Sequence, residues 1–208
     1  MTRSGGWGPL LGDEGSGWSL GREGIKSLLT HHANHRPLLP WHREILDKFG
    51  IEDPDGLLGV MSRLDTGLEH QMADSERKKR ISGCTKEVIQ AGKGGDEEAK
   101  RVMKKVAREV VELLGPLVDE EAHWADGVMV GKSDRYGING DIDLNEIELG
   151  GGRGISVRET MLVMGGGLSG VDEFREMVED GMKERGWDWA EVRVVTDPAE
   201  EGVRSLIG

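Results

Sequence analysis

Cysteine is almost absent: Cys84 stands alone in 208 residues, which excludes an intrachain disulfide and a thiolate zinc cluster. Such sparing use suits a reducing compartment. No apolar run approaches the roughly 18 residues of a membrane span, and the first thirty residues lack the charged, apolar and small-residue order of a secretion signal. A cytoplasmic protein with no membrane partner is expected. Basic residues are short too, with 27 Lys and Arg against 39 Asp and Glu for a net charge of -12. Nucleic acid is therefore not an expected partner. The short run "ERKKR" at 76–80 reads as a solvated helix face.

What the chain has instead is glycine, 33 in all, and six tryptophans. Its length suffices for one domain with a sizeable core. The periodicity predicts a helix over 21–34, ended by "RPLLP" because proline lacks the amide and restricts its predecessor, then short helices, one of them in "EDPDGLLGVMSRL". From Asp96, a helix-capping residue, Ala99, Val102, Met103, Val106, Ala107, Val110, Leu114 and Leu117 repeat at three and four residues. Lys100, Lys104, Arg108 and Glu112 then face water. After Thr160 the pattern becomes strand ("TMLVM", expected buried), Gly-rich turn ("GGGLSG") and amphipathic helix with Phe174, Met177, Val178 and Met182. "EVRVV" at 191–195 reads as a second strand, and "DPAEEGVRSL" as a helix capped by Asp197 with Pro198 at its first position. Alternating strands and helices indicate an α/β fold. Residues 122–158 are polar and Gly-rich without a sustained period, so an irregular insertion is expected there, and no internal repeat is visible.

Several short patterns invite a chemical reading. "GGGLSG" at 165–170 lies where a strand feeds a helix, a place at which backbone amides can face a nucleotide. It has neither the Lys-Ser/Thr of a Walker loop nor the full dinucleotide fingerprint, and a purely structural turn explains it equally well. "HHANH" puts His31 and His35 four apart at a predicted helix end, but without an acidic residue at metalloprotease spacing, so polar helix-end histidines are the simpler reading and no metal is expected. "NGDIDLNE" at 139–146 imitates half of a calcium loop, yet Arg135 and Gly137 stand at its first two ligand positions, which need side-chain oxygens. In "SGGWGPLLGDEGSGWSLG", residues 4–21, Trp7 between glycines and the pair Asp13-Glu14 could face a small polyhydroxylated ligand. A buried tryptophan in a turn, with Asp13 capping the next helix, accounts for the same residues.

The longer stretch "RSGGWGPLLGDEGSGWSLGREGIKSLL" resembles the N-acetylglucosamine kinases and the related BadF/BadG/BcrA/BcrD-type ATPases of the actin-like superfamily. The resemblance extends to "RISGCTKEVIQAGKGGDEEAKRV" (80–102) and "ETMLVMGGGLSGVDEF" (159–174), is weaker at "DPAEEGVRSLIG", and leaves much of 30–79 and nearly all of 119–158 unmatched. It implies an actin-like, ribonuclease H-like C-terminal lobe over 1–208. Gly6, Trp7, Gly8 and Asp13 would meet an amino sugar, while Ser82, Gly83, Gly165, Gly166, Gly167 and Gly170 would line the adenosine side of ATP. Complete family members use ATP with Mg2+, and carry upstream of the GGWG segment a domain with two phosphate loops and a catalytic Asp that have no counterpart here. No catalytic residue is assigned. Phosphoryl transfer rests on those parts, so the chain alone is expected to be inactive and to self-associate through the exposed face of its cleft. The alternative is a non-catalytic nucleotide- or sugar-binding protein of the BadF type.

Overall fold

The computed structural model describes residues 4–5, 8, 11–63, 70–118, 123–125, 128–130 and 155–195. It is a mixed α/β protein, mostly helical with a small parallel sheet. The chain divides into two compact units, one of Gly5–Val110 with Val171–Val178, the other of Met1–Ser4, Val111–Gly170 and Glu179–Gly208.

The first unit is built from helices α1 (Gly17–Ala33), α2 (Pro40–Phe49), α3 (Gly56–Arg63), α4 (His70–Gly83), α5 (Thr85–Lys93) and most of α6 (Glu97–Leu114). Helix α1 starts four residues earlier than the periodicity predicts, because Ser16 caps it: the Ser16 hydroxyl accepts from Ser19 N and donates to Asp13 O at 2.5 Å. Asp13, the expected cap, only lends its carbonyl. Trp18 thereby falls in the first helical turn, with the Arg22 guanidinium 4.6 Å from its ring centroid. Helix α2 opens on Pro40, which suits a first position where the amide is unneeded. Asp96 does cap α6, its Oδ1 accepting from Ala99 N at 2.8 Å and from the Trp41 indole N–H at 3.2 Å.

Leu20, Leu28, Trp41, Ile45, Val88, Met103 and Val106 are buried in this unit's core, each fully buried aliphatic side chain contributing about 1.5–3 kcal/mol. Val106 points inward as expected. Val110 is only half-buried, and the next residue, Val111, is the one in the core of the second unit. The backbones of α1 and α4 touch at Gly21, where a Cβ would collide with the Ile81 carbonyl oxygen. Cys84 is fully buried, and burial pushes its thiol up to about 12, so it is an inert core residue.

A buried polar chain joins α1, α2 and α6. Leu39 N donates to His42 Nδ1 at 3.3 Å, leaving the proton on Nε2, which donates to Ser27 Oγ at 3.3 Å. Ser27 donates in turn to Glu98 Oε1 at 2.6 Å. The hydroxyl gives its proton to the carboxylate and not to the imidazole, so this is no activated nucleophile. Burial, aided by His31, lowers His42 to about 4.

In the second unit, β3 (Met161–Gly165) and β4 (Glu191–Val195) form a parallel pair, and β1 (His123–Ala125) pairs antiparallel with β2 (Val128–Val130). These last two lie within the stretch expected to be irregular; most of that stretch, the calcium-like segment and the expected helix after Asp197 lie outside the described residues. The expectation of a buried β3 is corrected: Met161 is 41% and Val163 52% exposed. The register explains it. Met161 lies beside Glu191 and Val163 beside Arg193, whose side chains pair with each other at 2.9 Å, so the neighbouring strand gives that face to water. Helix α7 (Asp172–Glu184) follows β3; its buried Phe174 and Val178 belong to the first unit and its buried Met182 to the second.

Candidate functional site

The opening loop is held from two sides. Glu109 of α6 accepts from Gly15 N at 3.0 Å and from the Ser19 hydroxyl at 2.5 Å. Lys78 of α4 reaches the Asp13 carboxylate at 2.7 Å. Gly8 and Gly12 bridge one another through the backbone, and Leu11, 75% exposed, projects from the turn between them. Gly15 has φ +72°, and a Cβ there would lie 2.6 Å from Val110 Cγ2, so both conformation and packing demand glycine. Gly8 and Asp13 thus stand on one braced loop; Gly6 and Trp7 lie outside the described residues. Asp13 is the only carboxylate among the expected site residues and is already paired with a cation. That is a poor donor set for Mg2+, which takes oxygen ligands in octahedral array.

Ser82 and Gly83 form the corner between α4 and α5. Thr85 at the start of α5 donates to Gly17 O at 2.5 Å, tying this corner to the start of α1. Gly83 is exposed, and no atom lies within 4 Å of where its Cβ would be. Its backbone has ordinary negative φ, so neither packing nor conformation requires glycine at 83. Lys48 donates to Gly83 O at 2.7 Å and pairs with Glu87 at 2.9 Å. Beside Gly83 lies a groove of about 220 Å³ lined by Lys48, Phe49, Glu76, Lys79 and Arg80. The sequence reading missed these groove residues, together with Glu109 and Lys78. The basic run at 76–80 was their one visible trace.

The Gly-rich turn belongs to the second unit. Gly165 ends β3, Gly166 turns with φ +106°, and buried Ser169 closes the turn by donating to Gly166 O at 2.7 Å. Gly165, Gly166, Gly167 and Gly170 are all exposed, and the Cβ positions of Gly166 and Gly167 face open space. The strand, turn and helix α7 follow in the expected order.

His31 and His35 do not share a helix. Helix α1 ends at Ala33, and His35 lies beyond it with φ +53°. His31 Nδ1 is 3.1 Å from Pro37 O, while His32 Nε2 lies 3.2 Å from Asp55 Oδ1 with Asp53 nearby, at the protein surface.

No protein-family model matches the chain. Among curated proteins, the N-acetylmuramic acid/N-acetylglucosamine kinase of Clostridium acetobutylicum is 32% identical over 109 residues, covering 52% of this chain. The shared stretch spans 32% of that protein's length.

Proposed function

We propose that this chain contributes the sugar-facing loop and the adenosine side of an ATP-dependent amino sugar kinase with an actin-like, ribonuclease H-like fold, acting on N-acetylglucosamine or a close relative. The observation carrying this reading is the 32% identity over 109 residues with a protein named as such a kinase. The architecture supports it at two places. The loop of Gly8 and Asp13 is braced by Glu109 and Lys78, which keeps a carboxylate at the surface in a fixed place. Gly83 and Gly167 are glycines that packing does not need, as expected where a bulky ligand must approach the backbone.

In this reading Asp13 accepts from sugar hydroxyls, with Gly6, Trp7 and Gly8 beside it. Adenosine contacts are proposed for Ser82 and Gly83 in the first unit and, separately, for Gly165, Gly166, Gly167 and Gly170 in the second. Phosphoryl transfer needs phosphate-binding loops and a base that orients the attacking hydroxyl. Asp13, held by Lys78, serves the sugar hydroxyls in this reading and no residue is given the role of base, so turnover by the 208-residue chain is not expected.

The test is calorimetric binding of N-acetylglucosamine and ATP to the chain, with ADP release measured in parallel. Asp13→Asn is expected to weaken the sugar about tenfold or more while leaving ATP unchanged. Gly83→Ala is expected to weaken ATP while leaving the fold intact, or stabilising it by about 0.5–1 kcal/mol, since a helical glycine is replaced in open space. Sugar binding untouched by Asp13→Asn would remove the sugar assignment, and sustained ADP release by the chain alone would remove the expectation that it does not turn over.

A further inference from the structure

The groove beside Gly83 concentrates positive charge on a chain whose net charge is -12. Its wall is formed by the last turn of α2, with Lys48 and Phe49, and the C-terminal half of α4, with Glu76, Lys79, Arg80 and Gly83. Three cations thus meet two carboxylates, Glu76 on Arg80 and Glu87 on Lys48. The cations' hydrogen-bonding capacity is only partly used. Arg80 meets Glu76 through Nε at 3.2 Å, leaving both Nη groups without a partner among the described residues. Lys48 spends two of its three N–H donors on Gly83 O and Glu87. Lys79 is exposed and has no ion-pair partner among the described residues. The surplus positive charge is that of Lys79, and with the unused Nη donors of Arg80 it leaves the groove able to hold an anion.

Size decides what kind of anion fits. About 220 Å³ is below the roughly 300 Å³ at which pockets begin to enclose a whole drug-sized ligand, so the groove suits a phosphate or diphosphate group. Guanidinium and ammonium donors match phosphate oxygens, the former in bidentate fashion. Phe49, almost fully buried, gives the floor an apolar side. At the corner, Gly83 presents no side chain.

We propose that this groove is a phosphate-binding site, with the Arg80 Nη groups and Lys79 Nζ as its principal donors and Lys48 held in place as the third cation. Identifying the phosphate as part of a nucleotide rests on the kinase reading; the phosphate site itself does not.

The experiment titrates the 208-residue chain with inorganic pyrophosphate, ATP and adenosine by calorimetry, at low salt and at about 0.3 M salt. Pyrophosphate and ATP are expected to bind, and more weakly at the higher salt. The exposed double variant Lys79→Gln/Arg80→Gln, with its fold checked by circular dichroism, is expected to lose about tenfold or more in pyrophosphate affinity. Lys104→Gln, an equal-type charge change on the exposed face of α6, is expected to leave it unchanged. ATP binding that drops with the double variant, while adenosine binding does not, assigns the phosphate to the nucleotide. Absence of pyrophosphate binding, an unaltered affinity in the double variant, or an equal loss in Lys104→Gln overturns the site. Pyrophosphate binding through these residues in a chain that does not bind N-acetylglucosamine leaves the groove standing and the kinase reading fallen. Sugar binding with a pyrophosphate affinity indifferent to Lys79 and Arg80 does the reverse.

Discussion

At the residue scale, His42 is the group whose environment departs furthest from water in a direction a measurement can follow. It is fully buried, neutral, and takes a proton only near pH 4 in the folded protein, against about 6.5 in an unfolded chain. Between those values the unfolded chain binds more protons than the folded one. Stability therefore falls as pH drops through this window, by on the order of 3 kcal/mol for this group. Urea unfolding from pH 7 to 4 is expected to give that slope, and His42→Gln to flatten it. An unchanged slope in the variant would place the acid sensitivity elsewhere. The ordinary polarity of "PWHREIL" gives no warning of this. Amphipathic spacing marks Trp41, Ile45 and Leu46 as core, but a histidine between them reads equally well as a surface residue. Only the meeting of α1, α2 and α6 makes it a buried relay with Ser27 and Glu98.

Among the elements, the opening loop matters most because it carries the proposed sugar contact on a segment with few apolar anchors. Its order depends on Glu109 and on the left-handed backbone of Gly15. Gly15→Ala forces a Cβ onto Val110 and into a disfavoured conformation, which is expected to destabilise by about 1–3 kcal/mol or more. The cooperative midpoint in urea should shift accordingly, and the loss should exceed that for Gly83→Ala, which meets open space. Equal effects at both positions would mean that the loop is not braced as described. Helix α6 was legible in advance in its cap and in the apolar stripe from Ala99 to Ala107, since a 3.6-residue period is a strong local signal, whereas beyond it Val111 and not Val110 is buried and the helix ends at Leu114, short of Leu117. Burial of β3 was not legible. An isolated apolar pentapeptide cannot reveal that its neighbour brings Glu191 and Arg193 to the same face, because that is a matter of register and not of composition.

For the whole molecule, the parallel pair β3 and β4 among the described residues leaves Met161 and Val163 in water on one face and Val192 on the other, which is unusual, since parallel strands are normally covered on both faces. Self-association through the face of Met161 and Val163 is opposed by the net charge of -12. Sedimentation velocity is therefore expected to show association that grows as salt screens the repulsion, and Val163→Lys is expected to suppress it. A monomer at every ionic strength would rule this face out as a contact surface. Among the described residues no helix is long and apolar enough to cross a membrane.

The sequence by itself determined the α/β class, the long capped helix from Asp96, the strand, Gly-rich turn and helix around 161–184, and a single cysteine with no intrachain disulfide partner. Each of these depends on local periodicity, on turn chemistry or on a count. It also marked Asp13, Gly83 and Gly167 as residues worth explaining, through a resemblance carried by short ordered motifs. Tertiary structure alone decided that Lys78 and Glu109 brace the opening loop from residues 65 and 94 positions away from Asp13 and Gly15 respectively. It alone gathered Lys48 and Phe49 of α2 with Lys79 and Arg80 of α4 around Gly83. Contacts between residues so far apart in the chain arise from how amphipathic helices pack, and no window of local sequence contains that information.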